Sequence, residues 1–420
     1  MVAGEAGARE GAEPPRIARG TAAFWRANVA LFASAFSVFA LLYSVQPLLP
    51  VFAAEFGLDA GASSLALSVS TGVLAVAMLV ASFVADRWGR KPLMAVSLLV
   101  AAALGLAIAV MPGWDGILAL RALLGLSLAG VPAVAMAYLA EEMEADGFGF
   151  SMGLYIGGNA IGGMTGRLLV GVLADYTSWR FALGALSVVA LANAALFWWL
   201  LPAARHSPAR RPGPPAPLRA LVRPFRDPGL ALLFVEAFLI MGAFVTLYNY
   251  ASFRLLAEPY GLSQAAVSLI FILYLCGTGS SAWIGALAGR LGRRKVLWLM
   301  VVVMAAGLAL TWLPPLPVIV AGIAVFTFGF FGAHSIASAW VGRRAREGRA
   351  QATAFYLFFY YLGSSVVGTA GGYAWTWAGW AGVTLVSGAA ILAALAVALR
   401  LVFVPPLPIA EAPVAPPPSL

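Results

Sequence analysis

Long apolar stretches, separated by short polar segments, run along almost the whole chain. A helix needs roughly 20 apolar residues to cross about 30 Å of hydrocarbon, and twelve stretches reach that length. They do not alternate between polar and apolar residues, as the strands of a membrane β-barrel do, so each is predicted to be a helix. The predicted spans, numbered 1 to 12 in chain order, are 24–50, 62–85, 92–111, 115–139, 148–173, 179–201, 229–253, 263–288, 295–313, 316–341, 350–373 and 378–401.

The composition excludes an ordinary soluble protein. Of the 420 residues, 62% are hydrophobic and 10% are charged, whereas about 25% of the residues of a soluble domain are charged. The 13 tryptophans and 45 glycines are typical of membrane helices, where aromatic residues lie at the membrane surfaces and small residues allow close packing. The predicted fold class is therefore an all-α integral membrane protein.

The chain has few residues suited to metal binding or covalent catalysis. Its one cysteine, Cys276, excludes a disulfide framework, and two histidines, His206 and His334, argue against a histidine metal site. The Gly-x-x-x-x-Gly-Lys-Ser/Thr sequence of an ATP-driven pump does not occur in it. We therefore expect no metal, no cofactor and no enzymatic activity.

Basic residues fall mainly on one side of the predicted membrane. If both termini are cytoplasmic, 22 of the 26 lysines and arginines lie on the cytoplasmic side, in agreement with the positive-inside rule. The net charge of +9 then sets the orientation and does not indicate a nucleic-acid partner. We expect a multi-pass protein in the lipid bilayer of a bacterial inner membrane, with cytoplasmic N- and C-termini.

The chain divides into two halves. Residues 202–228 contain eight prolines and six arginines and are predicted to form a cytoplasmic linker. The linker joins two six-helix bundles, at 24–201 and 229–401. The tail at 1–23 has no apolar core and the tail at 402–420 is rich in proline, so the first is predicted to be disordered and the second flexible, both in the cytoplasm.

The two halves repeat one another. Residues 86–91 read Asp-Arg-Trp-Gly-Arg-Lys, and residues 289–294, which begin 203 positions later, read Gly-Arg-Leu-Gly-Arg-Arg. A repeat of six helices is typical of transporters whose halves rock around a central site. A receptor or a purely structural protein does not need such a repeat. We therefore predict two pseudo-symmetric bundles with alternating access.

Several of these sequences resemble the major facilitator superfamily. The loop 86–91 matches its signature loop, and the sequence Arg121-Ala-Leu-Leu-Gly125 resembles its helix-4 arginine motif, which is associated with proton-coupled members. Span 5 keeps glycines of the antiporter motif, but Gly163 replaces its proline and Arg167 replaces its last glycine. Similarity to the bacterial YnfM-type permeases, described as arabinose or drug efflux proteins, is carried by residues 43–50, 157–167, 244–250, 333–338 and 360–365. The resemblance implies a twelve-helix transporter.

Charged residues of two cytoplasmic loops are predicted to form a gate. Asp86 can accept charge-assisted hydrogen bonds from Arg90, and the loop after span 4 carries a net negative charge that suits the basic residues. Such pairs would hold the cytoplasmic side closed in an outward-facing state; the alternative is that the charges only fix the topology. The predicted gate residues are Asp86, Arg87, Arg90, Lys91, Glu141 and Glu142.

Three ionisable residues inside the spans are candidates for proton coupling. Burial disfavours the charged form of a carboxyl group, so Glu236 of span 7 is the expected proton site, unless it lies near enough to the headgroups to stay hydrated. His334 of span 10 is either a second proton site or a neutral packing residue. Arg121 of span 4 costs about 2.5–3.5 kcal/mol or more in hydrocarbon. It must therefore tune the acid, bind an anionic group of the cargo, or join spans 1, 4 and 5 by hydrogen bonds.

Polar and aromatic side chains of four spans form the predicted binding site. Neutral donors and acceptors beside aromatic rings suit a polar, uncharged or amphiphilic cargo. Each residue could instead serve packing, and Arg167 could pair with Asp175 or reach the membrane surface. The predicted substrate-binding residues are Tyr43, Gln46, Asn159, Arg167, Tyr248, Asn249, Tyr250, Tyr356 and Tyr360.

Three glycines of span 5 form a ridge of small residues at four-residue spacing. Gly158, Gly162 and Gly166 should allow close helix packing, and we expect their partner to be a helix of the opposite half. The ridge would then be a surface on which the halves rock, or a static contact.

The complete prediction is a monomeric secondary transporter that exports a small sugar-like or drug-like molecule in exchange for protons. A proton-coupled importer and an uncoupled facilitator fit the same pattern. A membrane receptor without transport is the alternative from another class.

Overall fold

The computed structural model describes residues 15–206, 223–345 and 348–405. These residues are helical apart from short connections and contain no β-strand. Most of the predicted linker and of the two predicted tails lies outside the described residues. Within the described part of the first tail, the backbone N–H of Ile17 donates to the carbonyl of Glu142 at 2.7 Å.

The first half contains six spans. Span 1 is formed by Ala22–Tyr43, a 3-10 turn at Gln46–Leu48 and Leu49–Phe56. Span 4 is formed by Trp114–Leu128 and Pro132–Glu142. The other four are single helices at Ala60–Trp88, Arg90–Val110, Ala145–Tyr176 and Trp179–Leu200.

The second half repeats this arrangement after a short 3-10 turn at Arg223–Arg226. Span 8 consists of Gln264–Ser268, a 3-10 segment at Leu269–Leu273 and Tyr274–Leu291. Spans 11 and 12 lie within Arg349–Val402, which has non-helical backbone angles at Ala378 and Gly379. Spans 7, 9 and 10 are Pro228–Leu256, Arg293–Leu310 and Leu316–Arg344.

Nine helices of the described residues are long and apolar enough to cross a membrane. One of them is Arg349–Val402, which holds two spans because its backbone turns at Gly379. Two further helices complete the set of twelve: span 5, which is rich in glycine, and span 9, which begins with three basic residues. The predicted all-α fold of twelve transmembrane helices is confirmed.

Proline and glycine account for the breaks within spans 1, 4 and 11–12. Pro47 and Pro132 each stand at the start of the segment that follows a break, where the missing N–H of proline removes no helical hydrogen bond. Gly379 adopts a φ of 57°, a left-handed conformation that favours glycine. The break in span 1 and the 3-10 segment of span 8 lie beside the same residue, Arg167 of span 5.

The two ends of the bundle are named by their connections. Because the number of spans is even, the first and last spans begin and end on the same side. We call that side the termini end; it also carries the 2–3, 4–5, 8–9 and 10–11 connections. The opposite side, with the 1–2, 5–6, 7–8 and 11–12 connections, is the far end.

A matching contact in each half makes the repeat visible in the structure. The Nζ of Lys91, at the start of span 3, donates to the carbonyl of Leu201 after span 6 at 2.6 Å. At the equivalent place, Arg294 of span 9 donates to the carbonyls of Val402 and Val404 at 3.0 and 2.6 Å. A cation near the C-terminus of a helix satisfies carbonyls that have no partner in the helix. Each contact therefore fastens the third helix of its half to the sixth.

Candidate functional site

Arg167 occupies an aromatic cage between the two halves. Its guanidinium carbon lies 4.1 Å from the ring centroid of Tyr43 in span 1, and 5.4 and 4.8 Å from those of Phe271 and Tyr274 in span 8. The side chain is 2% exposed. Its Nη1 donates to the carbonyl of Gly163 at 2.6 Å. The predicted alternatives, pairing with Asp175 or reaching the membrane surface, are not seen.

Two amides connect Arg167 to span 7. The Nε of Arg167 donates to Oε1 of Gln46 at 2.5 Å, and Nε2 of Gln46 donates to Oδ1 of Asn249 at 2.7 Å. A guanidinium can only donate, so the atom of the Gln46 amide that faces Arg167 must be the oxygen. The amide nitrogen of Gln46 then faces Asn249, and the atom of Asn249 that it meets must also be an oxygen. The Nδ2 of Asn249 is left buried without a hydrogen-bond partner.

Tyrosine hydroxyls surround this chain of hydrogen bonds. The phenol of Tyr43 lies near Arg167, Tyr274 and Tyr361. The phenol of Tyr360 in span 11 lies near those of Tyr43, Tyr361, Tyr356 and Tyr274. Spans 1, 8 and 11 therefore place phenol groups around one region between the halves.

Three other predicted binding residues make no hydrogen bond to Arg167. Tyr248 bonds Thr327 at 2.7 Å and packs against Phe271. Tyr250 donates to the carbonyl of Gly368 at 2.7 Å in the contact between spans 7 and 11. Asn159, two turns before Arg167 on span 5, is half-buried and its Oδ1 has no partner.

The second half contains a buried acid without a partner. Glu236 is 0% exposed, and neither of its carboxyl oxygens makes a hydrogen bond within the part of the chain that the structure describes. The hydration considered for this residue is therefore not seen. Glu236 lies near Tyr356, whose hydroxyl lies 2.9 Å from Nδ1 of His334. These three residues form a polar cluster of spans 7, 10 and 11.

Arg121 is held inside the first half by backbone carbonyls. Its three guanidinium nitrogens donate to Ala66 at 2.6 Å, Leu41 at 3.1 Å and Leu42 at 2.6 Å. It joins spans 1, 2 and 4, and not spans 1, 4 and 5 as one alternative expected. No acid lies among the residues that it bonds.

The charges at the termini end pair within one half. Arg90 forms a two-pronged ion pair with Glu141, and Asp86, which was expected to bond Arg90, is exposed, as is Arg87. Glu142 accepts from the backbone N–H groups of Arg205 and His206 at 2.7 and 2.8 Å. The Arg90–Glu141 pair cannot by itself hold the two halves together, because both residues belong to the first half.

The hydrogen bonds that we describe between the halves lie toward the far end. Thr369 of span 11 donates to Ser68 of span 2 at 2.7 Å, and Thr71 and Ser365 bond each other at 2.7 Å. Gln264 of span 8 donates to the carbonyl of Pro47 at 2.5 Å. The halves are therefore closed against each other at the far end.

The glycine ridge of span 5 has a different partner from the expected one. A Cβ at Gly158, Gly162 or Gly166 would meet the backbone or side chains of Phe32, Phe36 or Ala40, which belong to span 1 of the same half. The expectation of a contact with the opposite half was wrong, because a ridge of small residues fits any neighbouring helix equally well.

The sequence interpretation missed the contact between spans 2 and 11. Its signal was present as hydroxyl residues at three- and four-residue spacing, which place them on one helix face. It also missed Tyr274, which stands in an ordinary apolar run. The missed residues are Ser64, Ser68, Thr71, Tyr155, Gln264, Phe271, Tyr274, Tyr361, Ser365 and Thr369. No group of three or more His, Cys, Asp and Glu side chains that could hold a metal ion occurs in the described residues.

Comparison with known proteins shows one family over almost the whole chain. The family model described as Major Facilitator Superfamily matches residues 31–255 and 249–417. The chain is 48% identical over 388 residues to the inner membrane transport protein YnfM of Escherichia coli strain K12, covering 92% of each chain. It is 46% identical over 367 residues to the uncharacterized MFS-type transporter YybF of Bacillus subtilis strain 168, covering 87% of this chain and 91% of that protein.

A solved structure has the same fold. The crystal structure of a mutant of the nucleoside transporter NupG superposes with a TM-score of 0.74 at 17% identity, covering 89% of this chain and 99% of that one.

Proposed function

This chain is a membrane transporter of the Major Facilitator Superfamily, not an enzyme, and we propose that it exports a small polar or amphiphilic molecule in exchange for protons. The cargo site is the region between the halves, where Arg167, Gln46 and the tyrosines of spans 1, 8 and 11 converge. The resemblance to permeases described as arabinose or drug efflux proteins favours the export direction. We further propose that the chain acts as a monomer in a bacterial inner membrane, with both termini in the cytoplasm.

The closed far end is the observation that carries this proposal. A transporter that alternates must close one end while the other admits cargo. The inter-half bonds of Thr369, Thr71 and Gln264 close the far end, while the ion pair of Arg90 at the termini end stays within one half. With cytoplasmic termini, this is an inward-facing arrangement.

Glu236 supports proton coupling. A carboxyl group that is buried without a partner is more stable with its proton, and access from either side would let it load and release that proton. One pH unit supplies about 1.4 kcal/mol per proton, and about 100 mV of membrane potential adds roughly 2.3 kcal/mol. We propose His334 and Tyr356 as the groups that couple Glu236 to the site, and Arg121 as a positioning residue for spans 1, 2 and 4.

The test is flux in proteoliposomes with an imposed pH gradient. Radiolabelled arabinose, chloramphenicol and benzoate serve as probes, with the Glu236→Gln variant beside the unmodified chain. We expect a gradient to drive one probe uphill, and Glu236→Gln to abolish accumulation while leaving exchange intact. Flux that ignores the gradient would indicate a facilitator, uptake with inward proton movement would indicate an importer, and no flux of any probe would favour a receptor.

A further inference from the structure

We propose that the cargo carries an anionic oxygen group, such as a carboxylate, and that this group binds Arg167. The inference rests on the proposed transport function and names the class of molecule that the site would take. It goes beyond the neutral or amphiphilic cargo expected from the sequence. Its basis is a buried positive charge without a counter-charge, together with hydrogen-bond donors without acceptors, at one place between the halves.

Arg167 is a buried cation that has no acidic partner among the described residues. The described ion pairs of other arginines lie elsewhere, between Arg90 and Glu141, Arg180 and Glu55, and Arg344 and Asp227. A charge removed from water is costly unless it is paired and hydrogen-bonded. The rings around Arg167 compensate part of that cost, but they carry no negative charge that would neutralise it.

The groups that face Arg167 are neutral. The titratable side chains that interact with it are the phenols of Tyr43, Tyr248 and Tyr274, on spans 1, 7 and 8. Its two acceptors, the oxygens of Gln46 and Gly163, are also uncharged. An anion would therefore meet a cation and the hydroxyl groups of Tyr43 and Tyr274, with no acid among these groups to repel it.

The hydrogen bonds of Arg167 leave a donor free. Its bonds in the described structure run from Nε and Nη1, and no bond from Nη2 is formed within the described residues. Nδ2 of Asn249, at the other end of the amide chain, is likewise an unpaired donor. Both groups are donors and require an acceptor. A carboxylate oxygen accepts hydrogen bonds and would satisfy them, whereas a cargo ammonium group only donates and would not.

Arg121 provides the comparison within the same chain. It is as deeply buried as Arg167 and also lacks an acidic partner. However, Nε, Nη1 and Nη2 of Arg121 all donate to backbone carbonyls of spans 1 and 2, inside one half. The first half thus supplies an acceptor for each guanidinium nitrogen of Arg121. Arg167, which lies beside the second half, keeps one nitrogen without an acceptor in the described part of the chain.

The aromatic cage suggests the rest of the molecule. Rings of Tyr43, Phe271 and Tyr274 surround the guanidinium, and rings pack well against flat apolar bodies. A carboxylate on an aromatic or apolar body fits these surroundings better than an inorganic anion.

The test compares carboxylates with amides of the same shape. The full chain is purified in nanodiscs, and thermal stabilisation is titrated with benzoate against benzamide and with phenylacetate against phenylacetamide. We expect each carboxylate to bind at least about tenfold more tightly, which is about 1.4 kcal/mol. Arg167→Gln should remove that preference, and Arg167→Lys should restore part of it.

A matched variant separates this site from general charge effects. Arg180→Gln removes a cation that is paired with Glu55 near the far end, and it should leave the preference unchanged. Equal binding of carboxylates and amides, no binding of either carboxylate, or a preference that survives Arg167→Gln would overturn the inference. If Arg167→Gln does not fold, Tyr43→Phe and Tyr274→Phe replace it, and an unchanged preference in both would contradict the site.

The outcomes also separate this inference from the proposed function. Gradient-driven flux of arabinose or chloramphenicol, with no preference for carboxylates, would leave transport intact and remove the anion site. Arg167-dependent binding of benzoate without flux of any probe would keep the anion site and contradict transport.

Discussion

The two ends of the molecule are held by different chemistry. At the far end, hydroxyl groups and small residues of spans 2 and 11 join the two halves, as in the bonds of Thr369 to Ser68 and of Thr71 to Ser365. At the termini end, charged residues form the contacts, but the Arg90–Glu141 and Arg344–Asp227 pairs each lie on one side of the division. In these contacts, neutral groups join the halves, whereas the ion pairs stay within one half.

This difference suits a protein that must separate its halves repeatedly. A hydrogen bond between membrane helices contributes about 0.6 kcal/mol on average, so a few such bonds close the far end without holding it permanently. No described ion pair spans the two halves, so none has to break when the halves separate.

The strongest test of this difference between the two ends is to make the far-end contact permanent. In a Cys276→Ser background, oxidation of Ser68→Cys with Thr369→Cys should cross-link spans 2 and 11. We expect labelling of Tyr360→Cys by a membrane-impermeant maleimide from the far-end side to fall below detection, and reduction to restore it. A cross-link between Ser97→Cys and Ser127→Cys, within the first half, is the control; equal loss there would contradict the assignment of the moving interface.

A bulky residue at Gly61 should destabilise the closed far end. A Cβ there would lie 2.8–3.0 Å from the ring of Tyr373 in span 11. Overpacking costs about 1–3 kcal/mol, so Gly61→Leu should shift the protein by about tenfold toward a far-end-open state. The measurement is the distribution of distances between spin labels at Asp175→Cys and Ala265→Cys. Gly279→Leu, where a Cβ meets nothing within 4 Å, should leave that distribution unchanged.

Removing one hydroxyl should weaken closure slightly. Thr71→Val deletes the bond to Ser365 and keeps the shape of the side chain, so a change of about 0.6 kcal/mol, or roughly threefold in the equilibrium, is expected. The same spin-label pair reports it. Thr278→Val, whose hydroxyl bonds only the carbonyl of Tyr274 in its own helix, serves for comparison, and an equal shift in both variants would argue against a role of this bond between the halves.

Loss of a termini-end pair should leave the equilibrium between the halves unchanged. Arg90→Gln removes a partly exposed ion pair, so we expect a loss of about 0.2–1 kcal/mol in stability that diminishes at high salt. Thermal unfolding in low and high salt measures it, and the charge-reversed double variant Arg90→Glu with Glu141→Arg should recover it. A shift of the far-end spin-label distances would show that the pair does act across the halves.

The sequence was sufficient to predict the spans, but not to predict which spans pack against one another. Hydropathy defines a span from its own residues, so the twelve helices could be predicted, including the glycine-rich span 5. Whether Gly162 meets span 1 or the opposite half depends on the packing of the whole bundle, as does the choice of Glu141 as the partner of Arg90. The sequence does not indicate a role for Tyr274. The structure does, because the 3-10 segment of span 8 turns the ring of Tyr274 toward Arg167.

The corner at Ala378 and Gly379 has a mechanical consequence. Spans 11 and 12 meet there without an intervening loop, so we expect a tilt of span 11 to be passed on to span 12. The opposite end of span 12, at the termini end, should then change its position in the membrane when the far end opens. A fluorophore on that end of span 12, well away from any bound molecule, would report each cycle of the protein.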